Sequence, residues 1–336
     1  MPERPQLLLL TTGGTIASRR DAATGAVASA ASGEELIRFV PELAELATIR
    51  VESFTAVNSW NMTPALMCDL AARLNQVLAQ PEIAAAIVTH GTDTVEETAF
   101  LIDLMVASPK PVVFVVAMRN LSEASADGPR NLLDAARVAL DPAAHGRGAL
   151  LVCNESIHAA RYVTKMNTVN PATFVSPDYG PVGGIGAGVV RFFHPPPPRQ
   201  LFPTTTIDSE VLLIKVAAGA DDREFHWAID AGYRGIVIEG SGAGNSPAAV
   251  VPGIKAAIAA GLAVVLTSRC PFGFLAPVYG SGGAAGGGWD LQRLGVVLAD
   301  HLPAQKARIK LMVALGLTRN IEEIRALFAP PERHYP

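Results

Sequence analysis

Leu7-Leu8-Leu9-Leu10-Thr11-Thr12-Gly13-Gly14-Thr15-Ile16-Ala17-Ser18 decides how this 336-residue chain is read. Four consecutive leucines with no polar alternation describe a strand covered on both faces, the kind found in parallel sheets between layers of helices. The run ends at Gly13-Gly14, where the backbone turns, and the hydroxyls of Thr12 and Thr15 flank that turn. A second stretch repeats the design. Ile87-Val88-Thr89-His90-Gly91-Thr92-Asp93-Thr94-Val95-Glu96-Glu97-Thr98 passes from apolar strand to glycine to Thr92 and Asp93. Open α/β sheets bind ligands at the carboxyl ends of their strands, so the chemistry is expected at these two turns.

Outward from there, the pattern alternates strand and helix. Ile49–Val57, Val112–Ala117 and Gly148–Asn154 read as further strands. Glu34–Val40, Pro64–Leu78 and Asn131–Ala139 read as helices, the second with proline in its first turn. Asp93 and Thr94 suit the cap of a helix, with Glu96 and Glu97 three residues after each as capping-box partners. Ser18–Gly33, rich in alanine and glycine, reads as a mobile loop. His194-Pro195-Pro196-Pro197-Pro198-Arg199 excludes helix and central strand. Beyond it, strands at Val211–Val216, Gly235–Ile238 and Ala263–Thr267 alternate with helices at Val250–Ala260 and Lys306–Leu315.

The expected fold is α/β. A larger N-terminal parallel-sheet domain (1–192) carries the chemistry. A Pro-rich linker (193–210) leads to a smaller C-terminal α/β domain (211–336).

Composition narrows the function. Charged residues make up 17% and apolar ones 49%, so the composition disfavours disorder and two cores are easily filled. A net charge of −4 gives no electrostatic case for nucleic acid or an anionic membrane as partner. The opening apolar run is too short for a signal peptide, and nothing approaches the roughly 20 apolar residues of a membrane span. Cys68, Cys153 and Cys270 are an odd number without a C-x-x-C, and read as buried thiols. These features favour a cytoplasmic protein.

A threonine nucleophile needs a base. Of seven histidines, only His90 lies in a motif, and no H-x-x-x-H spacing points to a metal. Of six lysines, Lys165 alone stands among hydroxyls, in Arg161-Tyr162-Val163-Thr164-Lys165-Met166-Asn167-Thr168. A buried lysine is a possible base, whereas a salt-bridged one on the surface would be structural. Glu239-Gly240-Ser241-Gly242-Ala243-Gly244-Asn245 hints at phosphate binding but lacks the βαβ context, and no Gly-Lys dipeptide exists for a Walker loop. Tyr279–Gly288 reads as a flexible surface loop.

These residues together resemble the bacterial-type L-asparaginases of the asparaginase/glutaminase family. The resemblance is carried by Thr11–Ala17, Thr89–Thr98, Ala117-Met118-Arg119 with Ser125-Ala126-Asp127-Gly128-Pro129, Arg161–Lys165 and Gly240–Asn245, in order along nearly the whole chain. It implies Thr15 as the nucleophile on a side-chain amide, and Thr92, Asp93 and Lys165 as a second triad. It further implies Asp93 as holder of the substrate ammonium and Ser59 as ligand of its carboxylate. Thr92 and Ala117 stand with the substrate-binding residues, and Asn245 supports the ammonium end, reaching into a neighbouring subunit's site. No cofactor is implied, and the partners are L-asparagine and further copies of the chain, as homotetramer or homodimer.

Two departures stand out. The Ser18–Gly33 loop has no tyrosine, where the family places one beside the nucleophile, and Tyr279–Gly288 lacks the family's acidic residue. Tyr279, another residue or a partner's side chain does that work, or turnover is lower. The expected function is therefore asparagine hydrolysis with glutamine a weaker substrate. The alternatives are a non-catalytic asparagine sensor, an asparaginase-like amidotransferase subunit and a nucleotide-dependent enzyme. Only six residues precede Leu7, which argues against the amidotransferase's additional N-terminal domain.

Overall fold

In the computed structural model, residues 4–20, 27–29, 32–196, 198–280 and 285–330 are described. The chain divides into two compact units, residues 1–201 and 202–336.

The first unit runs β1 (Gln6–Thr11), β2 (Ser18–Arg20), β3 (Val27–Ser29), α1 (Gly33–Arg38), α2 (Leu43–Leu46), β4 (Thr48–Ser53), α3 (Pro64–Leu78), β5 (Ile83–Thr89), α4 (Val95–Met105), β6 (Val112–Val115), α5 (Gly128–Leu140), β7 (Ala149–Cys153), β8 (Ser156–Ala159), β9 (Thr164–Lys165), β10 (Phe174–Val175), β11 (Gly183–Gly186) and β12 (Val189–Phe192). Its main sheet has eight strands in the order β12-β11-β8-β7-β6-β5-β1-β4. Five of them, β4, β1, β5, β6 and β7, are mutually parallel. The sheet is nevertheless mixed, because β8, β11 and β12 add to β7 as antiparallel strands.

Leu7 to Leu10 are each 1% exposed or less, as the unbroken leucine run requires of a strand with neighbours on both edges and helices on both faces. Leu7 and Leu9 face a core shared with α1, α2 and α5, while α3 and α4 pack together and against β5 and β7. Local signals set the helix ends. Ser32 and Glu35 form a reciprocal capping box on α1, and Thr63 Oγ1 accepts the Leu66 N–H ahead of Pro64 in α3.

Strand order fixes where a ligand can sit. From β1 the chain goes first to β4 on one side and then to β5 on the other, so the order reverses between β1 and β5. The carboxyl ends at such a switch point diverge and leave a crevice. Gly13-Gly14 and Gly91 follow those two strands.

The second unit contains β13 (Val211–Lys215), α6 (Arg223–Asp230), β14 (Gly235–Gly240), α7 (Val251–Ala259), β15 (Ala263–Ser268), α8 (Gly288–Arg293), β16 (Val297–Leu298), α9 (Ala304–Leu317) and α10 (Ile321–Phe328). Its four strands are parallel and follow one another in sequence order, without a reversal. The glycine-rich 240–245 segment is a tight turn closed by reciprocal Ser241–Asn245 backbone bonds rather than a phosphate cradle.

Part of the expected mobile loop 18–33 is ordered, since β2 and β3 pair antiparallel across it; residues 21–26 and 30–31 lie outside the described residues. Residues 281–284 of the Tyr279–Gly288 loop lie outside them too. The Pro-rich stretch is tied to the first unit at Arg199, whose guanidinium bonds Asp103 Oδ1 at 3.0 Å and the carbonyls of Asp103 and Val106 at 2.9 and 3.0 Å.

Candidate active site

Four loops of the first unit converge at the β1/β5 switch point. Thr12 links the first two: its Oγ1 donates to the Thr89 carbonyl at 2.8 Å, alongside its backbone N–H. Gly14 lies so close to the second loop that a Cβ there would stand 2.5 Å from Gly91 N. With φ +94°, Gly14 is also in the left-handed region that side chains avoid, so glycine is required twice over. Thr15 follows at once, half-buried at the start of a single 3-10 turn.

The third loop brings Ser59. Its Oγ accepts the Asp93 N–H at 3.2 Å, and its carbonyl accepts the Thr94 hydroxyl at 2.6 Å. Because that Oγ already accepts from Asp93, its own proton is left to donate elsewhere. The fourth loop follows β6, where Ala117 is fully buried. Asp127 fixes this loop by accepting the Met118 and Arg119 N–H groups at 3.0 and 2.9 Å, and Leu121 N donates to Ser18 O at 3.1 Å.

At the centre, Lys165 Nζ donates to Thr92 Oγ1 at 2.8 Å and to Asp93 Oδ1 at 2.7 Å. The lysine side chain is 16% exposed and Asp93 46%, so the amine is enclosed while the carboxylate meets solvent. An open cleft of about 350 Å³ is lined by Asp93, Glu96, Lys165, Met166, Asn167 and Thr168. Thr92 and Lys165 are 73 residues apart in sequence. The amine facing a site hydroxyl is thus that of Lys165.

His90, the one histidine in a motif, plays no such part. It is completely buried, and its Nδ1–H donates to the Gly91 carbonyl at 2.8 Å. Burial pushes it down to about 4, against a smaller opposing effect of that hydrogen bond, so it is neutral at physiological pH.

The geometry thus joins Thr92, Asp93, Lys165 and Ser59 by hydrogen bonds and sets Thr15 on the loop pressed against Gly91. Asn245 belongs to the second unit, where its Oδ1 accepts the Gly288 N–H at 3.1 Å. The capping box expected at α4 does not form as read. Thr94 occupies the N-cap without capping the helix, its hydroxyl being spent on Ser59, and Glu96 Oε2 instead accepts the backbone N–H of Lys165 at 3.2 Å. Glu96 and Asp127 are site-building residues that spacing alone does not single out, because their partners are fixed only by the tertiary fold. Among the described residues no group of three or more His, Cys, Asp or Glu converges as a metal site.

Known proteins match this architecture from end to end. The family profile "Asparaginase, N-terminal" covers residues 6–198, and "Glutaminase/Asparaginase C-terminal domain" covers 210–328. L-asparaginase 2 of Bacillus subtilis is 36% identical over 334 residues, with 96% of this chain and 86% of that protein covered. One subunit of the glutamyl-tRNA(Gln) amidotransferase of Pyrococcus abyssi is 33% identical, with 97% of this chain and 75% of that protein covered. The crystal structure of a probable cytoplasmic L-asparaginase from Campylobacter jejuni superposes with a TM-score of 0.86 at 32% identity, covering 97% of this chain and 99% of that one. With both domains matched and the threonine-rich turns standing at the switch point of its sheet, the chain belongs to the asparaginase family of amidohydrolases.

Proposed function

We propose that the protein is an L-asparagine amidohydrolase that works through a threonine ester, with glutamine a weaker substrate. The hydrogen-bonded Lys165–Thr92–Asp93 cluster beside the Thr15 loop carries this reading. In the first step, Thr15 Oγ attacks the side-chain carbonyl carbon, the C–N bond breaks, and ammonia leaves with the proton surrendered by the hydroxyl. In the second, water attacks the ester, releasing aspartate and restoring Thr15. At 2.8 Å, Thr92 Oγ1 and Lys165 Nζ are within direct proton-transfer distance, so the pair is assigned the proton shuttling of both steps.

Substrate recognition follows from charge. A zwitterionic amino acid needs an anion for its ammonium, and the half-exposed Asp93 supplies one. It needs a donor for its carboxylate, and the Ser59 hydroxyl has an uncommitted proton. Thr92 and Ala117 complete the lining, and Asn245 of a second copy is assigned the ammonium end by family resemblance. Such a site fits a homodimer or homotetramer. No disulfide joins Cys68, Cys153 and Cys270, and of the three thiols read as buried only Cys153 is, Cys68 being half-buried and Cys270 exposed.

Ammonia release from L-asparagine, L-glutamine and D-asparagine tests the reading, with Thr15→Ala alongside. Release from L-asparagine that disappears in the variant is expected; a variant keeping most of the activity removes Thr15 as nucleophile. The match to an amidotransferase component favours one rival, a chain that releases ammonia usefully only with a partner. Full turnover by the isolated protein decides against it.

A further inference from the structure

We propose that Glu96 is a positioning residue for Lys165, holding the amine on Thr92 by gripping the lysine's backbone. The inference rests on the functional reading above and deepens it.

Lysine is a poor choice for a precisely placed base unless its stem is fixed, because its flexible four-carbon chain has much rotamer entropy to lose. Lys165 lies in β9, only two residues long. One side of that strand pairs with β10, and the Met166 N–H donates to the Thr173 carbonyl at 2.8 Å. Successive N–H groups of a strand point to opposite edges. The Lys165 N–H therefore faces away from β10, and there it meets Glu96 Oε2 at 3.2 Å. Glu96 takes the place of a neighbouring strand.

The origin of that carboxylate matters more than the bond itself. Glu96 stands in the first turn of α4, directly after the segment holding Thr92 and Asp93. One stretch of five residues thus supplies both anchors of the lysine: Thr92 and Asp93 accept from Nζ, and Glu96 accepts from the backbone N–H. Any drift of β9 relative to the second loop must break one of them. Glu96 is 7% exposed, so its grip is shielded from water. A carboxylate at a helix N-terminus is also electrostatically favoured.

The test compares Glu96→Ala with Glu96→Gln, using Lys165→Met as the reference for loss of the amine. Glutamine keeps an oxygen acceptor for the Lys165 N–H, and alanine does not. For Glu96→Ala, kcat for asparagine is expected to fall on the order of tenfold, equivalent to ~1.4 kcal/mol of barrier, while KM changes less than about twofold. Glu96→Gln is expected to restore kcat to within about threefold of the parent.

The proposal is overturned by an unchanged kcat in Glu96→Ala, by equal losses in both variants, or by a defect confined to KM. A crystal structure of Glu96→Ala supplies a readout independent of turnover, with the Nζ–Thr92 Oγ1 contact expected to lengthen beyond hydrogen-bond range. If the parent releases no ammonia, the functional reading fails while this contact still decides the positioning role. Retention of the 2.8 Å contact refutes it.

Discussion

His90 lies in the middle of the site's second loop, yet its ring is sealed from solvent and leans edge-on toward Phe114. Its pKa of about 4 has a consequence for stability. In the unfolded chain the imidazole titrates at its ordinary 6.5. Between these values the unfolded state binds more protons than the folded one. Stability is therefore unaffected above pH 6.5 and declines as pH falls through the window toward 4. At ~1.36 kcal/mol per pKa unit, the loss approaches the order of 3 kcal/mol at the lower end. Urea midpoints measured at pH 7.5, 6.0 and 4.5 should fall more steeply in the parent than in His90→Gln, whose amide does not titrate. Parallel declines would show that His90 does not contribute to the acid sensitivity.

At the scale of elements, the site depends on loop backbones approaching closely enough to share hydrogen bonds. A Cβ on Gly91 would stand 2.5 Å from Ser59 Oγ and 2.7 Å from its Cβ. The backbone of Gly91 lies outside the left-handed region, so alanine fits its conformation, and the nearest clashing atoms all belong to Ser59. Gly91→Ala is expected to raise KM for asparagine by roughly tenfold and to lower the melting temperature by only a few degrees. Gly14→Ala differs, because it collides with backbone and demands φ +94° as well; there the melting temperature should fall first. Equal effects of the two substitutions on KM would contradict this separation.

Legibility of the elements follows the same physics. Pro64–Leu78 has the bounds read from sequence, because a proline in the first turn is a local signal. The antiparallel extension escapes such a reading. Gly183-Gly184-Ile185-Gly186 shows no alternation, and its partners are chosen by the existing sheet edge. The amphipathic helix α6 escapes it through its polar composition, since its buried Phe225 and Ala228 are too few to announce it. At the site, Thr92, Asp93 and Lys165 are nameable from motif and resemblance. Glu96 reads as a capping residue because its actual partner is 69 residues away.

For the whole molecule, the remaining question is what covers its apolar surface. Single exposed apolar side chains are ordinary, but clusters mark contact surfaces. In the second unit, Phe272, Phe274, Val278 and Tyr279 are 55%, 72%, 71% and 63% exposed within one short segment after β15. In the first unit, β12 pairs with β11 alone among the described residues, and Val189 at its start and Phe193 just beyond its end are 56% and 57% exposed. An open edge bordered by apolar side chains invites pairing unless another chain covers it. Light scattering should therefore give two or four times the chain mass of 35.2 kDa, and the melting temperature should rise with protein concentration. Phe274→Asp sets a charge in the exposed aromatic segment and should shift the population toward smaller species. If a second copy supplies Asn245 to the site, specific activity must fall in step with mass as this variant is diluted. Full activity in a species of 35.2 kDa would show that each chain is complete by itself and would remove Asn245 of the neighbour from the mechanism.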